Sequence, residues 1–261
     1  VKTGMRFSVI ASGSSGNMVF CEAGSTRLII DAGITARETE KRLTALGIKP
    51  SSIDGLIITH EHLDHVKGAG SLARRYDLPV FVNARTLDGM KAAGKLPKVL
   101  MIQTGVPFSA GEIKVNSFTK CHDAGDPIGL TLSFNGVRIG IATDLGLSTR
   151  LVEDRLKGCD ALIVEFNHDE EMLESGPYPW FLKKRIRGRE GHLSNTQAGG
   201  LVGEVSGDNL RYLVLAHLSK INNVPEKAME AAKRALLERG RNKTSVLVAQ
   251  ESAPIPMVEI S

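Results

Sequence analysis

The sequence predicts an α/β protein in which two β-sheets pack together with helices outside. Three observations carry this expectation. Strand-like apolar runs open the chain, helical patterns then alternate with further runs, and Asn135-Gly136 joins two runs with a tight-hairpin signal. At 261 residues the chain can bury one sizeable core.

Taken in order, strand-like runs fall at 6–11, 18–21, 27–30, 55–58 and 80–82. More follow at 112–118, 130–134, 137–141, 161–165, 212–215 and 245–249. Helical spacing of apolar residues covers 36–46, 66–76, 84–93 and 149–156, then 195–205 with Ser194 as N-cap, and 225–238. There is no internal repeat and no low-complexity linker. Val1-Lys2-Thr3-Gly4 stands ahead of Met5 and reads as an appended remnant, so a single domain is expected over 5–261.

Hydrophobic residues at 42% and charged residues at 24% are ordinary for a soluble globular chain. The net charge of +4 permits an anionic substrate without requiring one. Cys21, Cys121 and Cys159 are widely spaced and odd in number, which argues against a disulfide framework and for a reducing cytoplasm. No run approaches the ~18 apolar residues of a membrane span, and no signal-peptide core is present.

Chemistry concentrates in Thr59-His60-Glu61-His62-Leu63-Asp64-His65, which places four metal-type ligands at a strand-to-helix turn. Imidazole and carboxylate suit Zn²⁺ or a similar first-row divalent ion. Further polar residues end apolar runs downstream: His122, Asp144 and His217. One strand-end histidine alone is more often structural, but three such residues beside the first cluster point to convergence on one sheet rim.

This pattern, with Asp31 after Leu28-Ile29-Ile30, resembles the metallo-β-lactamase-fold hydrolases. The resemblance implies a four-layer αββα sandwich. It also implies one metal on His60, His62 and His122, a second on Asp64, His65 and His217, and Asp144 bridging them. Asp31 would orient the ligands from behind. Gly13-Ser14-Ser15-Gly16-Asn17, Asn167-His168-Asp169, Gly191-His192-Leu193-Ser194-Asn195 and His217-Leu218-Ser219-Lys220 narrow the likeness to the WalJ/YycJ-type branch, bacterial cytoplasmic proteins described as DNA exonucleases. The likeness runs from about Met5 to Leu237.

It implies two divalent ions per chain, Zn or Mn, that lower the pKa of a bridging water and clamp a phosphodiester, with Asp64 central to catalysis. The leaving alkoxide then needs a proton. His168 and His192 are the histidines outside the metal set; either is a candidate general acid, or merely fixes its loop or binds a phosphate as a hydrogen-bond donor. Ser14, Ser15 and Asn17 either cup a phosphate or make a tight turn between strands. Lys183, Lys184 and Arg187 belong to a run of five basic residues in seven positions beside Tyr178, Trp180 and Phe181. That run suits a DNA (or RNA) strand; otherwise it is a solvated helix with inward-packed aromatics. The expected function is a two-metal phosphodiesterase trimming DNA ends. The alternatives are a small-molecule phosphodiesterase or thioester hydrolase on the same fold, and a non-catalytic metal-bearing regulatory module.

Overall fold

The structure, a computed structural model, describes residues 4–261; Val1, Lys2 and Thr3 of the expected remnant lie outside the described residues. In the first sheet β1 (Met5–Ala11), β2 (Met18–Ala23) and β3 (Thr26–Ile30) form an antiparallel meander. Onto it β4 (Gly55–Ile57), β5 (Pro79–Val82) and β6 (Lys98–Met101) add in parallel. The second sheet repeats the plan. β7 (Phe108–Ala110), β8 (Ile113–Thr119), β9 (Ile128–Phe134) and β10 (Val137–Ala142) are antiparallel. Then β11 (Ala161–Glu165), β12 (Tyr212–Ala216) and β13 (Ser245–Val248) run parallel to β10. The short β14 (Val258–Ile260) returns to the first sheet beside β1, giving seven strands in each.

Strand side chains alternate between faces, and both faces of these sheets are covered. Phe7, Val9, Leu28 and Ile30 meet Val115, Leu130, Ile139 and Ile163 between the sheets. The opposite face of the first sheet, with Phe20, Ile29 and Leu56, packs under α1 (Ala36–Ala45), α2 (Leu63–Val66), α3 (Ala69–Tyr76) and α4 (Ala84–Gly89). The connection after β10 holds α5 (Arg150–Leu156), and that after β11 holds α6 (Glu170–Ser175), α7 (Trp180–Arg187) and α8 (Asn195–Val205). α5, α8 and α9 (Pro225–Glu238) cover Leu162, Val164, Leu213 and Leu215 on the outer face of the second sheet. The architecture is an αββα sandwich. Among the described residues, no helix is long and apolar enough to cross a membrane, and all three cysteines are free thiols.

The hairpin at Asn135-Gly136 is present, with φ of 47° and 84° at the two turn residues, the left-handed pair that such a turn needs. Ser194 caps α8 with a reciprocal bond from Gln197. The helix expected over 66–76 differs: it begins at Leu63 and breaks at Gly68. A Cβ there would lie 2.1 Å from the Ile34 carbonyl, and the Gly68 N–H donates to the Ala32 carbonyl at 2.7 Å. The break draws the ligand turn against the loop after β3. β6, β7, β14 and α6 were not expected as elements, and α7 is the helix of the alternative reading of the basic run; the three strands are short sheet-edge pieces with weak alternation.

Candidate metal centre

β10, β11 and β12 end side by side in parallel register, so Asp144, Glu165 and His217 reach one rim from three neighbouring strands. β4 ends opposite them and delivers the turn from Thr59 to His65. Asp31, Asp144 and His217 adopt left-handed backbone (φ 58°, 53° and 56°). Such conformations cost of order 1–3 kcal/mol each in non-glycine residues and gather at functional sites. Here they turn side chains into the rim as the strands end.

His60, His62 and His122 form one group. His62 Nε2 lies 3.1 Å from the Asp123 carbonyl and His122 Nδ1 3.3 Å from the Gly191 carbonyl. A carbonyl only accepts, so both nitrogens carry their protons. The Thr59 hydroxyl gives its proton to Asp31 Oδ2 at 2.7 Å and therefore accepts from His60 Nδ1 at 3.0 Å. His60 Nε2, His62 Nδ1 and His122 Nε2 are left as bare lone pairs. His62 Nδ1 and His122 Nε2 face each other at 3.3 Å with both protons engaged elsewhere. His60 Nε2 is buried without a hydrogen-bond partner among the described residues. Burial holds His60 well below the usual imidazole range and pushes His122 down to about 4. Facing lone pairs repel one another unless a cation sits among them.

Asp64, His65, Asp144 and His217 form the adjoining group. Asp31 Oδ2 accepts from His65 Nδ1 at 2.8 Å, and Glu165 Oε2 lies 3.2 Å from His217 Nδ1. Both Nε2 atoms therefore point inward. They stand 3.3 Å from Asp144, at Oδ2 for His65 and Oδ1 for His217. Asp64 Oδ2 lies 3.5 Å from His65 Nε2 and 3.7 Å from His217 Nε2. Asp144 Oδ1 is also 3.9 Å from His122 Nε2, so this carboxylate stands between the groups. Burial opposes charge on His65, but Asp144 and Asp31 outweigh it and push the ring up to about 10. Asp144, Asp64 and Glu165 outweigh burial likewise and drive His217 well above its usual range. The donor set fits divalent cations.

Glu165, given no role in the sequence reading, organises the back of the centre. Wholly buried, it accepts from the backbone of Asp144 (3.0 Å), Leu145 (3.3 Å) and Leu193 (2.8 Å), and from His192 Nδ1 (2.8 Å). Burial disfavours its charge, yet His192 and His217 hold its pKa down to about 2. A carboxylate closing an otherwise apolar strand was the available signal. Lys120, also unassigned, is buried and donates to the Thr143 carbonyl, which precedes Asp144.

A cleft of about 260 Å³ opens onto the centre. Of the two candidate acids His192 lines it, stacked at 5.1 Å on His217, whereas His168 does not. His168 is buried, and burial pushes it down to about 4. Ser14 lines the cleft, but the Ser15 backbone N–H turns to Glu251 at 2.9 Å. Asn17, expected at the substrate, is buried. Its amide donates to Asp64 Oδ2 at 3.0 Å and to the Gly13 carbonyl at 3.1 Å, so it steadies a candidate ligand.

The basic run also differs from expectation. Arg187 pairs with Glu174 Oε2 at 2.6 Å and Lys183 donates to the Glu174 carbonyl, while Lys184 is exposed. Arg185 is the member that lines the cleft, held by Asp123 at 2.7 Å. Lys184 and Arg187 fall on the side of α7 turned away from the cleft, a distinction no composition count contains.

The profile of the beta-lactamase superfamily domain matches residues 26–218. The chain belongs to this superfamily, and the fold with its His/Asp groups implies divalent metal binding; it is a metal-dependent hydrolase. Within the superfamily it belongs with the YycJ and WalJ proteins. It is 37% identical over 240 residues to exodeoxyribonuclease YycJ of Bacillus anthracis, covering 91% of each chain. It is 34% identical over 230 residues to exodeoxyribonuclease WalJ of Streptococcus pneumoniae, covering 86% of each. Among solved structures it resembles the metallo-beta-lactamase fold protein YhfI from Bacillus subtilis, with TM-score 0.72, 17% identity and coverage of 96% and 99%.

Proposed function

We propose that this protein is a two-metal phosphodiesterase that degrades DNA from an end. The observation carrying the reading is the set of inward lone pairs, each fixed by a proton engaged elsewhere, beside a carboxylate common to both groups. His60, His62 and His122 would hold one ion, Asp64, His65 and His217 the other, and Asp144 both. Bound divalent ions, Zn or Mn, would supply Lewis-acid stabilisation of a phosphoryl oxygen and a nucleophilic water at neutral pH. DNA as substrate is supported by similarity to the two exodeoxyribonucleases.

The chain's own residues account for the rest. Asp31 fixes the tautomer of His65, and Glu165 and the Asn167 amide hold the Nδ1 side of His217 away from the centre. Asn17 orients Asp64. His192 keeps Nδ1 on Glu165, which leaves Nε2 to hold a proton for the departing oxygen. Arg185 at the cleft wall can take a phosphate oxygen through the guanidinium edge not facing Asp123.

The test uses end-labelled DNA and RNA with bis-p-nitrophenyl phosphate as control, across Mn²⁺, Zn²⁺ and Mg²⁺. Stepwise shortening of DNA from one end is expected. Turnover of a thioester or lactone while every nucleic acid survives would transfer the site to small-molecule hydrolysis.

A further inference from the structure

Helix α7 leaves two large aromatic rings in water. Trp180 is 66% and Phe181 73% exposed, while Phe7, Phe20, Phe118 and Phe166 are fully buried. The alternative reading of this run, a solvated helix with inward-packed aromatics, therefore does not hold for these two rings. Neighbouring apolar rings held out of the core mark a surface that something covers.

What covers them follows from the rest of the helix. Leu182, Arg185 and Ile186 face the cleft, and the two rings begin the same helix, on its side turned to solvent. The Arg187 guanidinium lies over the Trp180 ring, 5.4 Å from its centroid, and is itself tied to Glu174. Lys184, one helical turn from both rings, is exposed, as is Arg189; neither has an acidic partner among the described residues. Flat rings beside unpaired cations match an alternation of nucleobase and phosphate. Their place on the helix that walls the cleft favours the strand being hydrolysed over a lipid surface.

We infer that Trp180 and Phe181 form a stacking platform for nucleobases of the strand whose end enters the cleft, with Lys184 and Arg189 taking its phosphates. The platform rests on the DNA-phosphodiesterase reading and adds to it a base contact that the metal centre does not supply. It grips the base whatever its identity, because every base has a π-face.

Trp180 is the chain's only tryptophan, so its fluorescence reports the platform directly. Metal-loaded protein is mixed in a stopped flow with an oligodeoxynucleotide, or with one of equal length carrying abasic sites throughout its terminal nucleotides. Quenching is expected with the first and little with the second. Single-turnover cleavage of the abasic strand should be slower by about tenfold or more, and Trp180→Ala/Phe181→Ala should narrow that gap to near unity. Trp180→Phe/Phe181→Tyr should restore most of it. Equal quenching and equal cleavage of the two strands by the unaltered protein overturns the platform while leaving DNA hydrolysis standing. A blue shift of the Trp180 emission with anionic phosphatidylglycerol vesicles, and no change with DNA, overturns it in favour of a membrane surface. Turnover of the aryl diester with neither binding nor cleavage of any DNA sinks the function reading, and the platform with it.

Discussion

His60, His62 and His122 meet with their protons turned outward, and burial keeps His60 and His122 uncharged. His65 and His217, a few ångströms away and equally buried, lie against Asp31, Asp64, Asp144 and Glu165 and take up protons when nothing else positive is present. The residue type is the same and the electrostatics are opposite. Carboxylates decide the difference: the first half offers neutral lone pairs, whereas the second carries excess negative charge that requires a cation.

The largest effect that can break this comparison comes from Asp64, which touches only the charged half. Asp64→Ala should lose metal from that half selectively while the histidine half keeps its ion. Cleavage should fall by more than the roughly 10–100-fold typical of altering an outer support, which is the range expected for Asp31→Asn. Elemental analysis and rates on both variants measure this. Full activity with full metal content in Asp64→Ala ends the two-metal reading.

A smaller effect concerns His192, which leans on the charged half through Glu165. His192→Ala should slow DNA cleavage by about 10²–10⁴-fold, the range of a general acid. An aryl diester, whose leaving group needs little protonation, should slow far less. Equal slowing on both substrates marks a positioning residue instead.

The smallest effect sharpens the contrast in the chelated protein. His65 keeps its proton to about pH 10 in the folded chain against 6.5 ordinarily, so the stability that proton contributes is complete below 6.5 and is lost as pH rises toward 10. Glu165 is displaced the other way, from 4.5 to about 2, so its contribution is complete above 4.5 and is lost as pH falls toward 2. Thermal melts in chelator should therefore peak between these windows. Restoring metal should remove the alkaline loss, because the ion replaces the proton, and should add about 4 kcal/mol at a thousandfold excess over Kd. An alkaline loss unchanged by metal would separate His65 from the ion.

The candidate ligands were legible because they interrupt apolar runs: His60 to His65 follow Leu56-Ile57-Ile58, and Asp144 and His217 end strands of the second sheet. Their supports were less so. Asn17 looked like a phosphate contact because it sits in a glycine-serine turn, yet its amide faces Asp64 across 47 positions of sequence. Glu165 carried no role because its five neighbours at the rim come from three separate stretches of chain. Arg185 went unselected within a run of similar cations, since only the docking of α7 says which of them turns to the cleft.

By itself, then, the order of residues determined the α/β class, the strands that carry the rim and the identity of the atoms able to bind metal. Those are local properties: side-chain chemistry and periodicities of two and 3.6. Tertiary structure alone decided which imidazole nitrogen is bare, which histidines are charged and which of His168 and His192 faces the cleft. Tautomer and charge depend on partners and dielectric within a few ångströms, and those partners are brought together only when the two sheets close on each other.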